Sequence, residues 1–183
     1  MSPPPMFTIG HSTRSIPEFV DLLRGGLVKL VIDVRTVPRS RTNPQYNTDI
    51  LADELAPYQI SYDRIAGLGG LRGRSREVPT EVNGFWINRS FHTYADYALS
   101  DAFDGALGQL IGRAAEQPTA IMCSEAVWWR CHRRIIADYL ILHGRTVFHL
   151  MGGDRIEPAR MTPAAAQRDG RLVYPAPADR SPG

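Results

Sequence analysis

Lysine is almost missing from this chain. Lys29 is the only one in 183 residues, so twenty of the 21 basic side chains are arginine, and the 19 acidic residues leave a formal charge of only +2. No run of about 18 apolar residues occurs, which excludes a membrane-spanning helix, and the Pro-rich start from Met1 to Met6 lacks the basic and apolar regions of a secretory signal. A cytoplasmic protein is expected. Cysteine is scarce as well: Cys123 and Cys131 are too few for a disulfide framework and fit a reducing compartment. No internal repeat is present. What remains is ordinary globular composition, 43% hydrophobic and 22% charged, which excludes disordered, collagen-like and coiled-coil chains, in a length that suits one domain.

Apolar runs and their punctuation predict the order of elements. Strands are expected at 6–9, 27–34, 59–65, 119–123 and 146–150. Helices are expected from the Ser15 cap to Gly25, at 48–57, over 92–115 and at 130–143. The segment 67–90 reads as a long irregular stretch, functional or mobile. This alternation predicts a single α/β domain with a mainly parallel open sheet of about five strands, helices on both faces and Rossmann-like or rhodanese-like layering. Residues 1–154 would form the domain, and 155–183, rich in Pro, Ala and Arg, a peripheral tail.

In such sheets ligands bind outside the carboxyl ends of the strands. Here those ends carry His11 and Ser12, Asp33 and Arg35, the loop Gly67 to Gly70, Cys123 and Glu125, and Gly152 to Asp154. Asp33 and Glu125 are the candidate general acid and base, although Asp33 is equally suited to pairing with Arg35. His11 is a further catalytic candidate, as acid, base or phosphate donor, against a structural alternative.

Cys123 closes a strand and precedes a loop and a helix, the place of a nucleophilic thiolate in sulfurtransferases and cysteine-dependent phosphatases. Glu125 and two indoles occupy the following loop where those enzymes wrap an oxyanion, and a nearby carboxylate opposes thiol activation. Cys123, Cys131 and His132 lack zinc-binding spacing, so neither a metal nor another cofactor is predicted.

The arginines cluster at 35–41, 64–76 and 130–134, beside the same sheet edge. Coding bias explains the total but not this placement. Arginine forks and glycine-exposed amides suit phosphate, which makes Ser12, Arg35, Arg39, Gly69, Gly70, Arg72, Arg74 and Arg133 candidate substrate-binding residues, with Trp128 as a stacking face for a base.

Gly10-His11-Ser12, Asp33-Val34-Arg35 with Pro38 and Ser40, Gly67-Leu68-Gly69-Gly70 and, above all, Cys123-x-Glu125 with Cys131-His132-Arg133 resemble the DUF488 family of uncharacterised bacterial proteins over residues 6–154. The Trp128-Trp129 pair departs from the smaller residues usual in that interval. The resemblance implies an α/β fold and no established reaction; some members carry a DNA-repair label. The turn at Asp33 to Arg35 is also similar to that of rhodanese domains.

Three functions are consistent with these residues. The leading expectation is an enzyme on DNA or nucleotides that cleaves an N-glycosidic bond with the strand-end carboxylates, its arginines on phosphates. The second is a sulfurtransferase- or phosphatase-like enzyme with Cys123 as nucleophile. The third is a non-catalytic nucleic-acid-binding module. No membrane partner is expected, and the sequence does not specify an oligomeric state.

Overall fold

The computed structural model describes residues 2–178. Its centre is a six-stranded sheet of β1 (Met6–Gly10), β2 (Leu30–Asp33), β3 (Ser61–Arg64), β4 (Thr119–Cys123), β5 (Val147–Gly152) and β6 (Arg155–Pro158), in the order β3-β2-β4-β1-β5-β6. The first five are parallel and β6 runs antiparallel to β5. β1, β2 and β4 are buried along their whole length. That explains why they read as continuous apolar runs rather than as alternating ones.

Neighbouring residues on each strand feed opposite cores. Phe7, Ile9, Val31, Ala120 and Met122 pack with α1 (Ile16–Gly25) and α2 (Thr48–Leu55) on one face. Met6, Leu30, Ile32 and Ile121 pack with α3 (Arg89–Tyr97), α4 (Asp101–Arg113) and α5 (Arg133–Leu142) on the other. The result is the expected three-layer α/β arrangement. α1 starts on a capping box, with Ser15 accepting from the Glu18 amide and Glu18 accepting from the Ser15 amide.

Two expectations are corrected. The single helix over 92–115 is two helices, because the Ser100 hydroxyl accepts from the Phe103 amide and caps a new helix that carries Asp101 and Asp104 in its first turn. The residues after 154 are not peripheral as far as Tyr174. β6 completes the sheet, β7 (Ala166–Arg168) and β8 (Arg171–Val173) form a hairpin, and Leu172 and Tyr174 are buried in the α3/α4/α5 core. Tyr174 Oη donates to Asp138 on α5 at 2.9 Å. Residues 179–183 of the expected tail lie outside the described residues.

The chain leaving β1 crosses past β4 to reach β2, and the chain leaving β4 crosses past β1 to reach β5. β1 and β4 are neighbours in register, Gly10 beside Cys123, and β4 also borders β2, with Met122 beside Asp33. Three strand ends therefore open side by side where the connections diverge, the place at which open α/β sheets form a crevice.

Candidate functional site: a buried dithiol beneath a polar cavity

That crevice is a cavity of about 830 Å³. Of the residues expected at the site, His11, Ser12, Arg35, Arg39, Gly70, Cys123 and Glu125 line it, together with Arg130, Cys131 and His132. Asp33, Gly69, Arg72, Arg74, Trp128 and Arg133 do not. Much of the remaining wall is hydroxyl-bearing, with Thr13, Thr36, Ser40, Thr42, Ser90 and Ser124.

On the β1/β2 side the charged groups are tied to each other. Asp33 is fully buried, and its carboxylate accepts from Arg35 Nε at 2.9 Å and Nη2 at 2.6 Å, from the Arg35 amide at 3.0 Å and from Tyr62 Oη at 2.6 Å. Burial and this hydrogen bond raise the Tyr62 phenol to about 12, which keeps its proton in place as the donor. Arg35 Nη2 also donates to the Tyr46 carbonyl at 2.6 Å. Asp33 thus orients Arg35 and stands behind the cavity wall, as the pairing alternative anticipated.

His11 is equally fixed. Its Nδ1 lies 2.8 Å from the Ser12 carbonyl, an acceptor only, so Nδ1 carries the proton and Nε2 accepts from Arg35 Nη1 at 3.3 Å. The ring stacks on Tyr46 with centroids 4.2 Å apart, and burial holds its pKa below the ordinary value. The next residue, Ser12, sits at φ 48, a left-handed conformation that non-glycine residues adopt mainly where surrounding structure enforces it. Its amide donates to the Ser124 carbonyl at 3.0 Å, joining the β1 and β4 ends.

The β4 side contains the two cysteines, both free thiols and both buried. Their sulfurs are 2.8 Å apart. Cys131 sits just before α5. It accepts from the Arg133 amide at 3.4 Å and from Arg133 Nε at 3.3 Å, and His132 Nδ1 lies 3.5 Å away. His132 Nε2 faces the Val34 carbonyl at 2.8 Å and so carries a proton, which turns Nδ1 to the sulfur, where it takes the thiol proton and donates back to the thiolate. Gly70 makes room for that ring, since a Cβ there would stand 2.6 Å from His132 Nδ1.

Arg133 is the least expected part of the site. It is 1% exposed, and its further donors go to Thr8 Oγ1 at 3.2 Å and the Glu125 carbonyl at 2.6 Å. None of these partners is a carboxylate, so among the described residues only a cysteine sulfur can supply the counter-charge that a buried guanidinium needs. Burial alone would push the Cys131 thiol up. The Cys123 thiol, the Arg133 guanidinium and His132 outweigh it and hold Cys131 well below the ordinary range. Burial and the bond to Cys131 push Cys123 well above it. The pair is therefore a Cys131 thiolate accepting from a Cys123 thiol. An arginine against the sulfur favours a negative charge there, not a metal cation.

The rest of the arginine clusters divides. Arg72 clamps its own loop, donating to the Gly69 and Ala66 carbonyls at 2.9 and 2.8 Å and lying over the Tyr97 ring, and Gly69 packs against Thr36. Arg74 lines a separate cavity with Arg76, Arg89 and His92. Trp128 stacks flat on His149 at 4.5 Å and donates from Nε1 to Glu157 at 3.2 Å, so its face is taken. Glu125 and Arg130 are exposed at the mouth.

In the sequence, Cys123 is the nucleophile only of the second expected function, and Cys131 stood out only as a candidate metal ligand. The signal was available, in that Cys131 directly precedes His132, Arg133 and the start of a helix, the surroundings that lower a thiol pKa.

No curated protein and no solved structure matches the chain. The model of the family described as "Domain of unknown function DUF488" matches residues 15–140, from the α1 cap through both cysteines and most of α5. With well over half of its length matched, this chain belongs to the DUF488 family.

Proposed function

We propose that the protein is a thiolate enzyme in which Cys131 is the nucleophile for a polar, anionic substrate held in the cavity. One observation carries the reading: Arg133 is buried without a carboxylate and is neutralised by the Cys131 sulfur. His132 Nδ1 is the nearest base for the thiol proton, and with Nε2 anchored on Val34 it can return that proton to a leaving group. Arg130 and Arg39 at the mouth, with the Ser and Thr hydroxyls of the wall, suit the anionic part of the substrate.

The reading shifts the nucleophile from Cys123 to Cys131 and departs from a phosphatase. The amides of Val127, Arg130, Cys131 and Arg133 are used inside the loop, by Glu125 Oε1, the Val127 and Trp128 carbonyls and the Cys131 sulfur, so they form no oxyanion cradle. Glycosidic cleavage by paired carboxylates has less support, because every contact of Asp33 is an internal one and Glu125 alone faces the cavity. The cationic mouth that suggested nucleotides serves any anionic ligand of that size.

The test is the pH dependence of alkylation. With iodoacetamide, Cys131 of the native protein should react at a rate that stays flat from neutral pH down to about pH 6, whereas an ordinary thiol slows tenfold per unit below about 8.5. A rate that follows the ordinary thiol curve would sink the proposal.

A further inference from the structure

A simple thiolate mechanism needs the second sulfur only as a hydrogen-bond donor, yet it stands 2.8 Å from the first at the floor of the same cavity, within reach of bonding to it. We infer that Cys123 and Cys131 are a catalytic dithiol that reduces polar organic hydroperoxides, Cys131 attacking the peroxide and Cys123 resolving the product as a disulfide. The inference rests on the Cys131 thiolate proposed above and assigns it a substrate class.

Three features favour this chemistry over group transfer. Four amides of the loop, those of Val127, Arg130, Cys131 and Arg133, are already spent inside it, and an O–O bond needs no oxyanion cradle, because it breaks when a thiolate sulfur attacks one oxygen. The resolving thiol is already in contact, and the cysteines stand at the end of β4 and two residues before α5, elements that share one packed core. The cavity, about 830 Å³ and lined by hydroxyls and arginine, is larger than hydrogen peroxide requires and fits the body of an organic hydroperoxide.

The steps balance. The Cys131 thiolate attacks the terminal oxygen of ROOH; the S–O bond forms, the O–O bond breaks, and RO⁻ leaves and is protonated, from His132 or from water, to ROH. Cys131 is then a sulfenic acid. The Cys123 sulfur attacks the Cys131 sulfur; the S–S bond forms, the S–O bond breaks, and hydroxide leaves with the Cys123 proton as water. The dithiol has lost two electrons and the peroxide has gained them. A low-molecular-weight thiol, R′SH, restores the pair by two exchanges that release R′SSR′.

The full chain, reduced and freed of reductant, is treated at pH 7 with one equivalent of a carboxylate-bearing alkyl hydroperoxide, 4-hydroperoxy-4-methylpentanoate, and, in a parallel arm, with hydrogen peroxide. The wild type should lose both free thiols and two hydrogen atoms of mass. Its rate with the organic peroxide should exceed that of free cysteine by about 30-fold, the ratio of full thiolate to the few per cent present in an ordinary thiol. Cys123→Ser and Cys123→Ala should both stop at a sulfenic acid on Cys131 that dimedone traps. Cys131→Ser should keep its remaining thiol.

Survival of both wild-type thiols, or wild-type oxidation ending in sulfinic acid without a disulfide, overturns the inference. A faster reaction with hydrogen peroxide than with the organic peroxide overturns the substrate class. If alkylation shows the thiolate while no disulfide forms, only the dithiol inference fails; if alkylation follows an ordinary thiol, both readings fail.

Discussion

Arg133 Nε lies 3.3 Å from the Cys131 sulfur, and that contact joins a residue with no carboxylate partner to the group that serves in its place. Each charge explains the other. The guanidinium is tolerated in the core because the sulfur is anionic, and the sulfur stays anionic because the guanidinium, a helix start and a second thiol donate to it.

Replacing Arg133 with methionine removes the countercharge and keeps most of the volume. The Cys131 thiol should then hold its proton through neutral pH, and alkylation at pH 6 should slow on the order of 300-fold relative to wild type. Stability should fall by less than the 3–5 kcal/mol typical of a broken buried ion pair, because the sulfur can neutralise itself by protonation. Alkylation kinetics and urea unfolding measure the two effects separately.

Stability should depend on pH through both cysteines, with opposite signs. Cys131 is held down in the folded state, so its contribution is fully present above the unfolded thiol value near 8.5 and is lost as pH falls through its folded value. Cys123 is held up, so its contribution is present below that unfolded value and is lost as pH rises toward its folded value. Urea midpoints should therefore climb toward pH 8.5 and decline beyond it, each limb no steeper than about 1.4 kcal/mol per pH unit. Cys131→Ser should flatten the acid limb, and a wild-type profile without that climb contradicts a folded-state thiolate.

Asp33→Asn distinguishes orientation from catalysis. Asp33 is buried and holds Arg35 by two side-chain bonds, so the change should cost about 3–5 kcal/mol in thermal or urea unfolding. Cys131 alkylation should stay within a few-fold of wild type at temperatures where the variant is folded. A catalytic Asp33 would give the reverse pattern.

Gly70→Ala tests the seat of His132. The new methyl would meet the ring 2.6 Å from Nδ1 and must displace it. A stability loss of about 1–3 kcal/mol is expected, with slower turnover of any substrate whose leaving group takes a proton from that ring. His132→Gln should reproduce the kinetic effect without the steric one.

Ending the chain at residue 154 should unfold it or leave it molten. The truncation removes β6 and exposes the core surface that Leu172 and Tyr174 cover. Loss of near-ultraviolet circular dichroism would report it, and a native spectrum would show those contacts to be dispensable.

β1, β2 and β4 were legible because burial on both faces makes each a continuous apolar run, whereas β3, Ser-Tyr-Asp-Arg at the sheet edge, showed only through the apolar residues Ile60 and Ile65 that flank it; the cavity was legible because polar residues follow the strands. Other features left no local signal. β7 and β8 are three residues each, and β7 is fully exposed, so no periodicity announces the hairpin that carries Leu172 into the core. The break between α3 and α4 rests on one hydroxyl, that of Ser100, in a sequence whose helical spacing continues across it. Within the site, the sequence named the charged residues and offered one of their pairings, Asp33 with Arg35, but not that of Arg133 with Cys131. Arg133 looked like a substrate contact because arginine usually is one; only its position beneath the sulfurs, facing Thr8 on β1 and not the cavity, gives it the other role.

Arg133 also reverses the usual meaning of a crosslink. Joining Cys123 to Cys131 erases the anion beside a guanidinium that has no route to water, leaving a bare cation among dipoles. A disulfide here would strain the fold that an ordinary one staples, and its reduction would be favoured by the relief. The oxidised form should melt at a lower temperature than the reduced one, and the couple should sit toward the oxidising end of protein disulfides.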